Sequence, residues 1–131
     1  MFQSQELLAV RKVSDWTSIV EIRAETIPAV ERALFEAYNQ AMASGVRTLV
    51  LNFHRLEDLT ASGITLLIRL LARARQHAIQ FLAVGLKDHH RHIFQLTRLD
   101  QAIPVYESEF EALQAAAEAN PMARFSLVAH A

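Results

Sequence analysis

The sequence contains no cysteine. That absence excludes disulfides, thiolate catalysis and cysteine-based zinc sites. Glycine is almost as scarce, at three in 131 residues. A phosphate cradle of the G-x-x-x-x-G-K-[ST] or G-x-G-x-x-G kind cannot be built from so few. Charge of one sign is also lacking: 13 basic residues face 14 acidic ones, for a net charge of −1. Nucleic-acid binders gather a basic excess because phosphate contacts dominate their affinity. The nearest feature here is Arg69, Arg73 and Arg75 on one helix, which reads as a solvated face, and no nucleic-acid partner is expected. No apolar run reaches the roughly 18 residues that a membrane-spanning helix needs. The opening MFQSQELLAV lacks the basic region and long apolar run of a signal peptide. A cytoplasmic protein is the expectation.

What is present is a globular composition, 52% hydrophobic and 21% charged. Residues 6–13 read as a strand, Ser14-Asp15 as a turn, and residues 16–24 as a second strand. In the latter, Val20, Ile22 and Ala24 alternate with Glu21 and Arg23, as a half-buried strand requires. A helix follows, with Thr26 as its cap, Pro28 in its first turn and Gly45 as its stop. Val30, Leu34, Ala37 and Ala41 share its buried face.

Residues 48–53, TLVLNF, are nearly continuously apolar, which implies a strand covered on both faces. The loop HRLEDLTA leads to a helix over residues 62–77, with Leu66, Leu67, Leu70, Leu71 and Ala74 as its core stripe. Thr65, Arg69, Ala72 and Gln76 point away. Residues 79–84 form another buried strand ended by Gly85. Asp88 can cap a short helix running to residue 99. Residues 103–106 read as an edge strand, because Pro104 cannot donate to a ladder. Ser108 and Glu111 have the spacing of a capping box opening a last helix to residue 119. RFSLV, residues 124–128, reads as a further strand or a tail.

The order β-β-α-β-α-β-α-β-α predicts one α/β domain over residues 1–131, with its core at 6–119 and a tail at 120–131. Its sheet is mixed and mostly parallel, with helices packed against it.

No catalytic constellation emerges. Ser62-Gly63 lacks the glycine that a nucleophile elbow places two residues before its serine; Thr60 stands there. His89 and His92, at i and i+3, could share a metal, but nothing at a matching offset completes a set. With His90 they read as a polar first turn facing solvent. Glu57 and Asp58 are neighbours on a loop, whereas acid–base pairs need separated carboxylates in distinct environments. No enzyme activity, cofactor or metal is expected.

Residues 48–67 resemble the signature segment of the STAS domain, the domain of anti-sigma factor antagonists and of sulfate-transporter tails. The pattern is an apolar strand ending in Asp, a seven-residue spacer, then Asp-Ser-Ser-Gly opening a helix. Here the strand ends in Asn52, residues 53–59 are the spacer, and Thr60, Ala61, Ser62 and Gly63 follow without a gap. LAVGL at residues 82–86 is similar to the family's fourth strand. LTRLD at 96–100 is similar to its Leu-Thr-Gly-Leu-Asp, with Arg98 in the glycine place. IPVYESEFEAL at 103–113 is similar to its final strand and helix. RAET at 23–26 replaces an early Gly-x-Leu-Asp.

The resemblance implies function by binding: an unphosphorylated domain docks on an anti-sigma kinase, and phosphorylation of the first motif serine releases it. That position is Ala61, which has no hydroxyl, so Ser62 and Thr60 are the substitutes. Ser62 is also explained as a helix N-cap. The implied partner surface comprises Asn52, His54, Arg55, Asp58, Thr60, Ala61, Ser62, Gly63, Ile64 and Ile68. Ile64 and Ile68 flank the leucine stripe and would add an apolar patch if exposed. The partner is an anti-sigma factor or kinase-like protein. The alternatives are an accessory role beside a membrane transporter ATPase, or a scaffold. A homodimer is compatible with either.

Overall fold

The computed structural model describes residues 7–119. Strands β1 (Leu8–Lys12), β2 (Thr17–Ile22), β3 (Thr48–Asn52), β4 (Gln80–Val84) and β5 (Val105–Tyr106) form one sheet in the order β1-β2-β3-β4-β5. β1 and β2 are antiparallel, and every other pair is parallel. The helices are α1 (Glu31–Ala43), α2 (Ala61–Gln76), α3 (Asp88–Leu96), α4 (Leu99–Ala102) and α5 (Glu109–Ala119). This is the expected mixed, mostly parallel α/β domain. RFSLV lies outside the described residues.

The pleat sends alternate side chains into two cores. Val20 and Ile22 of β2, Leu49 and Leu51 of β3, and Phe81 and Ala83 of β4 enter the larger core, with Leu34 of α1 and Leu66, Leu67 and Leu70 of α2. Ile19, Val50, Leu82 and Val84 enter a smaller one under Ala112 and Ala116 of α5. Small alanines let α5 lie close on the sheet. β3 is covered on both faces, as its unbroken apolar run requires.

The expected alternation holds from Val20 to Ala24, with Glu21 and Arg23 not buried, but the first half of β2 departs from it. Thr17, Ser18, Ile19 and Val20 are all buried. The added cover is α5, which comes from the far end of the chain and cannot be read from local alternation. Only Glu21 keeps the polar side, with an ion pair to Arg23 at 2.6 Å.

Several local boundaries also differ. Thr26 caps no helix: it bridges to Asp58 as an isolated parallel pair. Pro28 instead opens a 3-10 turn, Pro28–Val30, that feeds α1. The helix expected to run to residue 99 ends at Leu96, and α4 starts afresh at Leu99. Asp88 is its first helical residue, after Lys87, and no side chain caps it. Ser108 Oγ does accept from the Glu111 N–H at 3.2 Å, but Glu111 reaches back to the N–H of Glu107 rather than of Ser108.

Arg98 separates α3 from α4 with φ of 61°. A left-handed backbone disfavours side chains with a Cβ, so glycine suits this position. Replacing Arg98 with glycine is expected to raise unfolding stability by about 1 kcal/mol. Urea denaturation measures this; a lowered midpoint contradicts it.

Candidate functional site

The site is the junction where β3 ends, a loop crosses the sheet edge, and α2 begins. Phe53 is buried, and its N–H donates to Val84 O at 2.9 Å. Its ring stands edge-on to Phe94 of α3. Leu56 is also fully buried, and its N–H closes a turn onto Phe53 O. The N–H groups of Glu57 and Asp58 both donate to Glu25 O, at 2.8 and 3.1 Å. RAET therefore has a structural task here: its backbone clamps the loop. With Phe53 and Leu56 as anchors, His54, Arg55, Glu57 and Asp58 are left exposed.

Asn52 is half-buried and fully engaged. Its Nδ2 donates to Glu109 Oε2 at 2.9 Å. Its Oδ1 accepts from the His54 N–H at 3.0 Å and lies 3.0 Å from His54 Nδ1. Only an amide, with a donor at one end and an acceptor at the other, satisfies both neighbours. Glu109 is also gripped by Arg11 at 2.9 and 2.8 Å. The Arg11 hydrogen bond, aided by Asn52, holds the Glu109 carboxyl below the ordinary glutamate range against the opposing effect of burial. Asn52 thus holds the loop from within.

Gly85 makes this packing feasible. Its φ is +79°, and a Cβ there would lie 2.7 Å from Asn52 Oδ1 and 2.8 Å from the His54 nitrogen. Backbone conformation and close approach both demand glycine.

At the start of α2 the cap is Thr60, not Ser62. Thr60 Oγ1 accepts from the Gly63 N–H at 3.1 Å. Ala61 and Ser62 are exposed in the first turn. Gly63 is buried close to Ile27, so it packs the helix down. Ile64 is half-buried against the core, whereas Ile68 is 52% exposed. Arg69 and Arg73 are not simply solvated: both guanidinium groups lie over the Phe35 ring, at 5.5 and 5.7 Å from its centroid. They flank an open groove between α1 and α2.

Of the three histidines, His89 and His92 are exposed but His90 is fully buried. The first turn of α3 is therefore not wholly solvent-facing. Among the described residues no cluster of three or more His, Asp or Glu side chains could hold a metal, and no helix is long and apolar enough to cross a membrane.

The STAS domain family model matches residues 9–112. The chain belongs to the STAS domain family. Solved structures of similar fold include an anti-sigma factor antagonist from Mycobacterium paratuberculosis, 26% identical with a TM-score of 0.66, covering 82% of this chain and 91% of that one. Another is the Bacillus anti-sigma factor antagonist SpoIIAA in its unphosphorylated form, 17% identical with a TM-score of 0.65, over 83% and 96% of the two chains. The inward-facing murine anion transporter Solute Carrier 26 family member A9 matches at 16% identity and a TM-score of 0.67, over 79% of this chain and 18% of that one. No curated protein sequence matches the chain. In this STAS domain Asn52 ends β3 and donates a hydrogen bond to the Glu109 carboxylate beside it.

Two outcomes follow from that pairing. Asn52→Asp sets two carboxylates together and is expected to cost about 1–3 kcal/mol at neutral pH, a penalty that shrinks as acid protonates one of them. The native Arg11–Glu109 contribution runs the other way. It is complete above the ordinary glutamate range and is lost as pH falls through the lowered value. Urea unfolding at several pH values separates the two curves; parallel curves contradict the network. Gly85→Ala is expected to cost more than about 2 kcal/mol and to move the His54 amide resonance.

Proposed function

We propose that this STAS domain acts without catalysis, by docking a protein partner of the anti-sigma kinase type through residues 52–59 and the helix start at 60–68. The supporting observation is a loop locked by backbone bonds and two buried anchors, yet exposing His54, Arg55, Asp58, Thr60, Ala61 and Ser62 in one continuous stretch. A surface ordered before binding loses little conformational freedom on association. Ile68 extends it with an exposed apolar side chain on the face of Ala61, about two turns further along α2. The fold likeness to anti-sigma factor antagonists favours this partner class.

Ala61 stands at the helix N-terminus, where orphan N–H groups favour an anion. It offers no hydroxyl for phosphorylation. Docking in this domain is therefore not switched at that position. Thr60 is occupied as the cap, which leaves the exposed Ser62 hydroxyl as the more available acceptor. A second reading is an accessory role beside a membrane transporter ATPase; its support is only that the same fold occurs within an anion transporter. Copurification with membrane-associated ATPase subunits, rather than with a kinase-like anti-sigma factor, selects it.

Ala61→Glu tests the docking reading. A carboxylate at a helix N-terminus favours the fold by about 0.3–1 kcal/mol, so stability should hold or rise. The same charge buried in an interface should weaken binding by about 2 kcal/mol or more. Calorimetric titration against the partner recovered by affinity pull-down measures it, and unchanged affinity sinks the assignment.

A further inference from the structure

The loop at residues 53–59 is fastened from beneath by one histidine. His90 of α3 is fully buried, and its Nε2 lies 3.1 Å from the Glu57 carbonyl oxygen. A carbonyl can only accept, so Nε2 carries the proton and donates it. Nδ1 is then a bare acceptor, and it is buried with no hydrogen-bond partner. A neutral ring tolerates that. An imidazolium would place a second N–H donor and a full charge where neither is matched.

The charged groups around the ring are few. From its own segment come His89, whose ring centroid is 4.1 Å away, and Lys87. From the loop come Glu57 and Asp58. The Glu57 carboxylate is held by Lys87 at 2.9 Å. Burial is the main influence holding His90 below the ordinary imidazole range. The Glu57 carbonyl opposes it, His89 and Lys87 add to it, and Asp58 opposes it weakly.

We propose that His90 is a proton-operated latch: the closed loop accommodates only the neutral ring, and protonation at Nδ1, which leaves the Nε2–H bond to Glu57 in place but sets an unmatched donor and a charge inside the fold, drives the loop around residues 54–58 to open and admit water. The loop yields rather than α3 because the two are held unequally. α3 is a complete helix anchored by buried Phe94. Residues 54–58 have one buried side chain, Leu56, and their backbone is held by the two N–H bonds to Glu25 O, the Leu56–Phe53 turn, the His54 N–H bond to Asn52 Oδ1 and the isolated bridge from Asp58 to Thr26, with no continuous ladder. Segments with few bonds open at lower free energy than the core. Because folding lowers the His90 pKa, the latch is closed above the ordinary imidazole range. It stays closed until pH falls through the lowered value, and opens below it. That the released state docks poorly rests on the function proposed above; the latch itself does not.

Nuclear magnetic resonance on the full chain tests it without a partner. The imidazole nitrogens of His90 should report the Nε2–H tautomer at neutral pH. As pH is lowered, exchange protection of the Leu56, Glu57 and Asp58 amides should fall about tenfold or more in step with His90 protonation. Val50 and Leu82 in the sheet should stay protected. Loop amides that remain protected through the His90 titration overturn the proposal, as do loop and sheet amides that lose protection together. In His90→Gln the side-chain amide can still donate to Glu57 but cannot titrate, so loop protection should become independent of pH. A pH response that survives in this variant overturns the latch. If the variant does not fold, the wild-type titration decides alone. Loss of partner binding at every pH would count against the docking function and leave the latch standing.

Discussion

A strand covered on both faces can carry polar side chains only at its ends, and β3 is such a strand. Its four buried residues leave Asn52 as the first position where a polar group can meet another. Everything at the junction depends on how that side chain is satisfied. Glu109, already paired with Arg11, needs a donor; the turn at His54 needs an acceptor. The amide supplies both, and so ties β1, β3, α5 and the loop into one network. Gly85, just past the end of the neighbouring strand β4, leaves the room. A carboxylate in place of Asn52 would repel Glu109, so the amide and the glutamate of α5 suit each other.

The loop that follows has a backbone paired like secondary structure while its side chains face solvent. Glu25 O, Val84 O and His90 take up its polar groups, and Phe53 and Leu56 supply the apolar hold. Surface loops normally leave such groups to water. Spending internal hydrogen bonds on an exposed loop is consistent with a surface that must keep one shape. The first turn of α2 extends the same surface, and there the chemistry is that of a helix end with Ala61 in the anion-favouring place.

The large features were legible because they repeat. The apolar run of β3, the leucine stripe of α2 and the order of strands and helices each involve many residues obeying one period. Arg98, noted as standing in a glycine place, does have a left-handed backbone. The errors were of another kind. Thr26 looked like a cap because threonine before Pro28 commonly is one, yet its partner is Asp58, far along the chain. Ser62 was the expected cap, and the hydroxyl two residues earlier took the role. His90 was grouped with its exposed neighbours because helix ends are usually polar. Its burial needs the loop above it, and no window of sequence around His90 contains that loop.

The sequence by itself determined the class of fold, the family and the place of the junction. These follow from hydrophobic periodicity, glycine and proline positions and motif spacing, all local along the chain. Tertiary structure decided which groups meet: Asn52 with Glu109, His90 with Glu57, RAET with the loop after β3, and Ile19 of β2 with the alanines of α5. Those pairings join residues tens of positions apart. They are chosen by the need to match each buried donor with an acceptor, a condition that becomes visible only once the chain has closed on itself.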